Sequence, residues 1–158
     1  MDADACPVKG EIVSVAREYG AAVVFVASYK NRMADPEEGH WVYVDPHRES
    51  ADIYIANHAE TGDIVVTQDI GLASLVLPKG ASALTPRGTI YTESSIGPAL
   101  DLRYLAAKER SRGRYGKGTK RFTAEDREHF ARALAEMLSK MEQKGCFRGR
   151  NNSERENQ

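Results

Sequence analysis

Several features are scarce in this chain of 158 residues, and each scarcity excludes a class of protein. The chain has only two cysteines, Cys6 and Cys146, which excludes a disulfide-stapled scaffold and is typical of an intracellular protein with free thiols. No apolar run reaches the roughly 18–20 residues that span a bilayer. Asp2 and Asp4 stand where a signal peptide would carry basic residues. We therefore expect a cytoplasmic protein without a membrane segment.

Motifs for nucleotide and zinc binding are also missing. Neither GxxxxGK[ST] nor GxGxxG occurs, which disfavours a P-loop or dinucleotide enzyme. The four histidines show neither HxH nor HExxH spacing, which disfavours a zinc site. Hydrophobic content of 41% and charged content of 28% are near globular averages. We predict one domain over residues 1–143, followed by a polar, disordered tail over residues 144–158.

Short apolar runs alternate with helical patterns along the first two thirds of the chain. Each run is rich in apolar and β-branched residues without polar alternation, which is typical of strands buried on both faces. These runs are residues 21–28, 41–45, 63–67 and 81–84. Helical spacing is found in segments 7–20, 50–60, 69–77 and 94–107. The pattern predicts an α/β fold with a parallel, doubly wound sheet flanked by helices.

The last third of the chain departs from this pattern. Beyond Pro86-Arg87-Gly88 we expect no further strand. Residues 110–121 carry three glycines and six basic residues, which predicts a mobile loop. Thr123 is expected to cap a C-terminal helix, with Asp126 completing a variant of the capping box.

Charge is divided unevenly between the two parts of the chain. Residues 1–100 hold 7 lysines and arginines against 14 aspartates and glutamates, and residues 101–158 hold 15 against 9. The resulting charges of −7 and +6 add to the net −1. The basic part predicts an anionic partner such as a phosphate-bearing polyanion, and a solvated face on a balanced protein is the alternative.

Several aspartates follow or precede the predicted strands. Asp2 and Asp4 precede the first helix, Asp52 lies in the first turn of the second, and Asp69 follows the third strand. Ligands in parallel α/β sheets bind beyond the carboxyl ends of the strands. Carboxylates gathered there would repel one another, and Mg²⁺ or Mn²⁺ would relieve that repulsion. Asp52 or Asp69 alone is as well explained by a helix cap, and Asp45 is the weakest candidate because Asp-Pro is a common turn.

Five segments together resemble one bacterial family. The chain resembles the YaiI/YqxD family over about residues 2–140, a family that is largely uncharacterised and looks like a relative of the PIN and NYN nuclease domains. The segments are DADACPVKGEIVSVA at 2–16, SADIYI at 50–55, GDIVVTQDIGLASLVLPKGA at 62–81, PRGTIYT at 86–92 and FTAEDREHF at 122–130.

The resemblance implies a PIN-like nuclease that holds Mg²⁺ or Mn²⁺ and cleaves RNA. Asp2 matches the first-strand aspartate of PIN domains, Asp52 the central acid and Asp69 the acid of the T-x-D signature, whereas Asp4 belongs to the family motif. The family usually has a short apolar strand before residue 2, and only Met1 stands there in this sequence, so we expect a truncated first strand.

The sequence hypothesis is a metal-dependent phosphodiester hydrolase with Asp2, Asp4, Asp52 and Asp69 as metal ligands and catalytic groups. A non-catalytic nucleic-acid-binding or regulatory protein that keeps the acidic site is the alternative. Thr67, Gln68 and Arg87 are second-tier candidates at the same edge. The residues expected to contact RNA or another polyanion share a positive charge and are Arg110, Arg112, Arg114, Lys117, Lys120 and Arg121. The sequence does not indicate an oligomeric state.

Overall fold

The structure, a computed structural model, describes residues 1, 3–4, 6–34, 36, 38–47, 49–116, 118 and 120–145. Within these residues the chain alternates helices with short strands. The strands are β1 (Val24–Ser28), β2 (His40–Val44), β3 (Ile64–Val66), β4 (Ser82–Leu84) and β5 (Ile90–Tyr91). The helices are α1 (Lys9–Glu18), α2 (Ser50–His58), α3 (Ile70–Val76), α4 (Glu93–Ser111) and α5 (Ala124–Gln143). The fold is therefore of the mixed α/β class.

Hydrogen bonding within the described residues divides the strands between two small sheets. β1 pairs in parallel with β2, and β3 pairs in parallel with β4. The start of the chain lies along the other edge of β1. There the Val26 amide donates to the Met1 carbonyl and the Ala3 amide donates to the Val26 carbonyl, each at 2.8 Å.

The prediction of a wholly parallel sheet that stops at Pro86-Arg87-Gly88 is wrong, because β5 follows and pairs antiparallel with β4. A tight turn replaces the expected end of the sheet. The Gly88 amide donates to the Thr85 carbonyl, and Gly88 has a φ of 86°, which glycine adopts without the penalty that a Cβ would bring. A turn this short returns the chain beside β4, whereas a parallel neighbour would need a long crossover.

The two sheets share one hydrophobic layer, because their side chains enter the same two clusters. On one face Phe25, Val66 and Leu84 pack with residues of α1 and α5. On the other face Val26, Val65 and Ala83 pack with residues of α2, α3 and α4. Successive strand residues point to opposite faces, so unbroken apolar runs require helices on both sides. This layout places the polar chemistry at the strand ends.

The C-terminal helix begins as the sequence predicts. The Thr123 hydroxyl accepts a hydrogen bond from the Asp126 amide, and the Asp126 carboxylate accepts one from the Thr123 amide. The same contacts, with the ion pair to Arg87, hold the pKa of the Asp126 carboxyl below its usual range. Phe130, Leu134 and Leu138 form the buried stripe of α5. The capping box therefore fixes where α5 starts.

Helix α4 is longer than the predicted segment 94–107 and takes in the start of the predicted loop 110–121. The helix ends at Ser111. Just beyond it, the Arg114 amide donates to the Glu109 carbonyl at 3.0 Å and Gly113 has a φ of 77°. Glu109 also forms ion pairs with Arg112 and Arg114, so the acid relieves repulsion among the basic side chains. No helix in the described part of the chain is both long and apolar enough to cross a bilayer. Of the predicted tail over residues 144–158, the part from residue 146 onward lies outside the described residues.

Gly88→Ala should destabilise the fold. A Cβ at this position would lie 2.6 Å from His129 Nδ1, and the residue would keep a positive φ. We expect the free energy of unfolding in urea to fall by about 2 kcal/mol or more. Gly10→Ala is the matched control, because a Cβ on α1 meets nothing within 4 Å and should raise stability by up to about 1 kcal/mol. Equal losses in the two variants would contradict the packing of the hairpin against α5.

Candidate functional site

A cleft opens at the carboxyl ends of β1 and β2. Its volume is about 440 Å³. Its walls come from the segments that follow these two strands, from the start of α2 and from Asp4. The lining residues are Asp4, Ser28, Lys30, Asn31, Val44, Asp45, Pro46, His47, Glu49, Ala51 and Asp52. Two of the predicted site residues, Asp4 and Asp52, thus share one cleft.

Asp4 is held against the end of β1. The Ser28 amide donates to both of its carboxylate oxygens, at 3.0 and 3.1 Å. The Ser28 hydroxyl in turn accepts a hydrogen bond from the Lys30 amide at 3.2 Å, which shapes the turn after β1. A charged acceptor strengthens such hydrogen bonds. The carboxylate of Asp4 is therefore oriented by backbone.

Asp52 enters the cleft from the first turn of α2, where the partial positive charge of the helix N-terminus favours a carboxylate. Glu49 precedes this helix with φ 69° and ψ 2°, in the left-handed region. It is the non-glycine residue with positive φ among the described positions. Such a conformation costs of the order of 1–3 kcal/mol and is often kept near functional sites.

Asp69 does not line this cleft. It is the N-cap of α3, and its Oδ1 accepts hydrogen bonds from the Leu72 amide at 3.1 Å and from Arg103 Nη1 at 3.2 Å. Gly71 leaves room for this ion pair, since a Cβ there would lie 2.9 Å from Asp69 Oδ1. The structure places Asp4 and Asp52 in the lining of one cleft and gives Asp69 a separate set of partners. Its assignment as a metal ligand stays a prediction.

The charge of Asp69 influences a neighbouring tyrosine. Burial raises the pKa of the Tyr91 hydroxyl, and the negative charge of Asp69 raises it further. Tyr91 belongs to β5, the strand that the sequence did not predict. Asp69 therefore joins α3 to α4 through Arg103, and its charge also acts on Tyr91 in β5.

The three second-tier residues have different surroundings. Thr67 is buried, with 2% of its surface exposed, and its Oγ1 accepts a hydrogen bond from the Asp69 amide at 3.0 Å. Gln68 is exposed. Arg87 joins the hairpin to α5, because Nη1 lies 2.6 Å from Asp126 Oδ2, Nη2 donates to the Lys120 carbonyl and the guanidinium lies over the Phe122 ring. None of the three lines the cleft.

The predicted nucleic-acid contacts lie at and beyond the end of α4. Arg110, Arg112, Arg114, Lys120 and Arg121 are exposed. Arg112 Nη1 and Arg114 Nη1 both form ion pairs with the Glu109 carboxylate, at 3.4 and 3.6 Å from its oxygens. The acid lowers the net positive charge of this surface. Lys117 and the predicted ligand Asp2 lie outside the described residues. The basic surface is thus accessible to a polyanion.

The described residues of the cleft include oxygen donors of the kind that magnesium and manganese sites use. Carboxylates are the oxygen ligands that these ions prefer. Among the described positions, however, no three His, Cys, Asp or Glu side chains are arranged to hold a metal ion. Mg²⁺ commonly binds through one or two carboxylates, with water and substrate phosphates completing its shell. Asp4 and Asp52 fit that role.

The sequence reasoning missed other residues of the cleft. The sequence makes Asp45 the weakest candidate and assigns no role at this site to Lys30, His47 or Glu49, yet all four line the cleft. They lie in turns after β1 and β2 and before α2, where no periodicity marks a side chain as facing a site. The one available signal was position, because these turns follow the carboxyl ends of two predicted parallel strands.

The chain matches a family model over residues 1–140, and that family is described as "Uncharacterized BCR, YaiI/YqxD family". The chain belongs to the YaiI/YqxD family. The predicted resemblance to that family over about residues 2–140 is confirmed.

YaiI/YqxD relatives from several bacteria align with most of the chain. A UPF0178 protein of Bacillus velezensis is 48% identical over 140 residues, which cover 88% of this chain and 83% of the relative. A UPF0178 protein of Listeria monocytogenes is 46% identical over 138 residues, covering 87% and 93% of the two chains. No solved structure matches significantly. The family assignment therefore rests on sequence, and the relationship to PIN and NYN nucleases is not part of it.

Asp69→Asn should lower the pKa of the Tyr91 hydroxyl toward its ordinary value. The substitution removes the negative charge, while burial, the larger cause, keeps the pKa raised. Titration of the tyrosine ring carbons by NMR can separate Tyr91 from the other tyrosines. Asp63→Asn, in the turn before β3, is the control and should leave the Tyr91 titration unchanged. A Tyr91 titration that is the same with and without the Asp69 charge would contradict the described arrangement.

Proposed function

We propose that this protein is a divalent-metal-dependent phosphodiester hydrolase that acts on RNA and has a PIN-like arrangement of its sheet and helices. The observation that carries the proposal is the cleft at the carboxyl ends of β1 and β2, which both Asp4 and Asp52 line. This is the edge where parallel α/β folds bind ligands. A cytoplasmic location belongs to the same proposal.

Asp4 and Asp52 would hold Mg²⁺ or Mn²⁺ together with water and the phosphate of the substrate. When bound, the ion would supply activation of water and stabilisation of the charge that develops on the phosphate. Asp4 is suited to a fixed position, because the Ser28 amide orients its carboxylate. Lys30 and His47 line the same cleft and supply donors for phosphate oxygens.

Attraction of the substrate is assigned to another part of the molecule. Four carboxylates line the cleft, namely Asp4, Asp45, Glu49 and Asp52, and they would repel a polyanion. The exposed basic residues at the end of α4 would provide the compensating attraction. Because this attraction acts through phosphates, it is independent of RNA sequence.

A non-catalytic RNA-binding protein is the second candidate. It is favoured by the absence of three converging metal-ligand side chains in the described part of the chain and by the ion pair that Arg103 forms with Asp69. Such a protein would use the same basic surface and would not need the carboxylates of the cleft. Cleavage assays separate the two candidates.

Asp4→Asn and Asp52→Asn should each abolish cleavage of a mixed single-stranded RNA substrate in the presence of Mn²⁺, because each removes one of the two carboxylates that hold the ion. RNA binding should persist, since both substitutions remove negative charge. Asp63→Asn is the matched control, because Asp63 caps a turn outside the cleft, and it should keep full activity. Full cleavage by Asp4→Asn and Asp52→Asn would refute the assignment, and binding without any metal-dependent cleavage by the wild type would favour the second candidate.

Neutralising the basic surface should weaken binding and leave the chemistry of the cleft in place. The variant Arg110→Gln, Lys120→Gln, Arg121→Gln loses three phosphate contacts. We expect the slope of log affinity against log salt concentration to flatten by about two for single-stranded RNA. Filter binding over a salt series measures the slope. The control is Arg132→Gln with Lys140→Gln on α5, and an unchanged slope in the first variant would show that this surface does not bind RNA.

A further inference from the structure

The second half of α4 exposes large apolar side chains. All residues from 101 to 108 are exposed, and Leu102 and Leu105 keep 68% and 54% of their surfaces accessible. They are three positions apart on a helix, so they lie side by side. Ile96 and Leu100 pack into the core from the opposite face of the same helix. Leu102 and Leu105 therefore point away from the molecule.

Leu102 and Leu105 form a short apolar patch, bounded along the helix by Pro98 and Glu109. Pro98 lies seven positions before Leu105, and Glu109 lies seven positions after Leu102, which places all four on one face. A single exposed leucine is ordinary on a protein surface. Two adjacent ones form an apolar patch that a second helix can cover.

Charge on α4 is complementary to an antiparallel copy of itself. Residues 93–102 carry Glu93 and Asp101 and no lysine or arginine, whereas residues 103–111 carry Arg103, Lys108 and Arg110 with one acid. Asp101 and Lys108 are seven positions apart, on the same flank of the leucines. In an antiparallel pair of identical helices, equivalent flanks face each other, so Asp101 of each copy would lie near Lys108 of the other. The helix dipoles also favour this orientation.

We propose that α4 is the contact surface of a symmetric homodimer, in which two copies pack antiparallel through Leu102 and Leu105. The occupant is a second copy of this chain, since a two-fold interface requires a self-complementary surface. Asp101 and Lys108 give the surface this self-complementarity. This dimer does not depend on the proposed hydrolase activity.

Sedimentation equilibrium over a concentration series tests the dimer directly. We expect the mass of the wild type to approach twice 17.5 kDa, and Leu105→Asp to raise the dissociation constant about tenfold or more. Circular dichroism and the melting temperature of a dilute sample should be unchanged, because the side chain is exposed in the monomer. Ile53→Asp on α2 is the matched control, with 58% of its surface exposed, and it should leave the dissociation constant unchanged.

Charge exchange tests the orientation. Asp101→Lys should weaken the dimer through repulsion by Lys108 of the other copy, and Asp101→Lys with Lys108→Asp should restore it. A monomeric wild type at all concentrations, equal effects of Leu105→Asp and Ile53→Asp, or failure of the double exchange to restore the dimer would each overturn the proposal. A loss of RNA binding in Leu105→Asp without a change in mass would overturn it as well, because α4 would then be a nucleic-acid surface.

Discussion

The burial of each central strand on both of its faces is the constraint from which the rest of this structure follows. Phe25 and Val26 are adjacent in β1, yet one packs toward α1 and α5 and the other toward α2 and α3. Helices must therefore cover both faces of the strand layer. Polar side chains cannot enter this layer without losing their hydrogen bonds to water, so they collect where the strands end. The cleft with Asp4 and Asp52 and the separate ion pair of Asp69 both lie just beyond strand ends.

The strand layer was predictable because its residues carry a strong signal. Four apolar runs without alternation marked β1 to β4, and the helical spacing of Ile12, Val15 and Ala16 marked α1. The start of α5 was predictable for a different reason, since Thr123 and Asp126 form a local capping box that needs no tertiary contact. Local signals of this kind survive in any context, and they placed the elements within a few residues.

Strand β5 was not predictable, because two residues are too few to show a period. Its formation depends on the tight turn at Gly88 and on pairing with β4, which are tertiary facts. The site was predictable in part for the same reason. Sequence position assigned Asp4, Asp52 and Asp69 to one edge of a sheet, but the partners of each carboxylate depend on what packs above it. Arg103 comes from α4, 34 residues further along the chain, and no local pattern joins it to Asp69.

Paramagnetic broadening by Mn²⁺ tests whether Asp4 and Asp52 form the metal-binding pair. The amide of Ser28 reports on Asp4, because it donates to that carboxylate, and the amide of Leu72 reports on Asp69 in the same way. On titration with Mn²⁺, the NMR signals of the Ser28 and Asp52 amides should broaden first. Asp52→Asn should remove this effect, and the Leu72 amide should broaden less than the Ser28 amide. Broadening centred on Leu72, or no selective broadening at Ser28 and Asp52, would contradict this assignment.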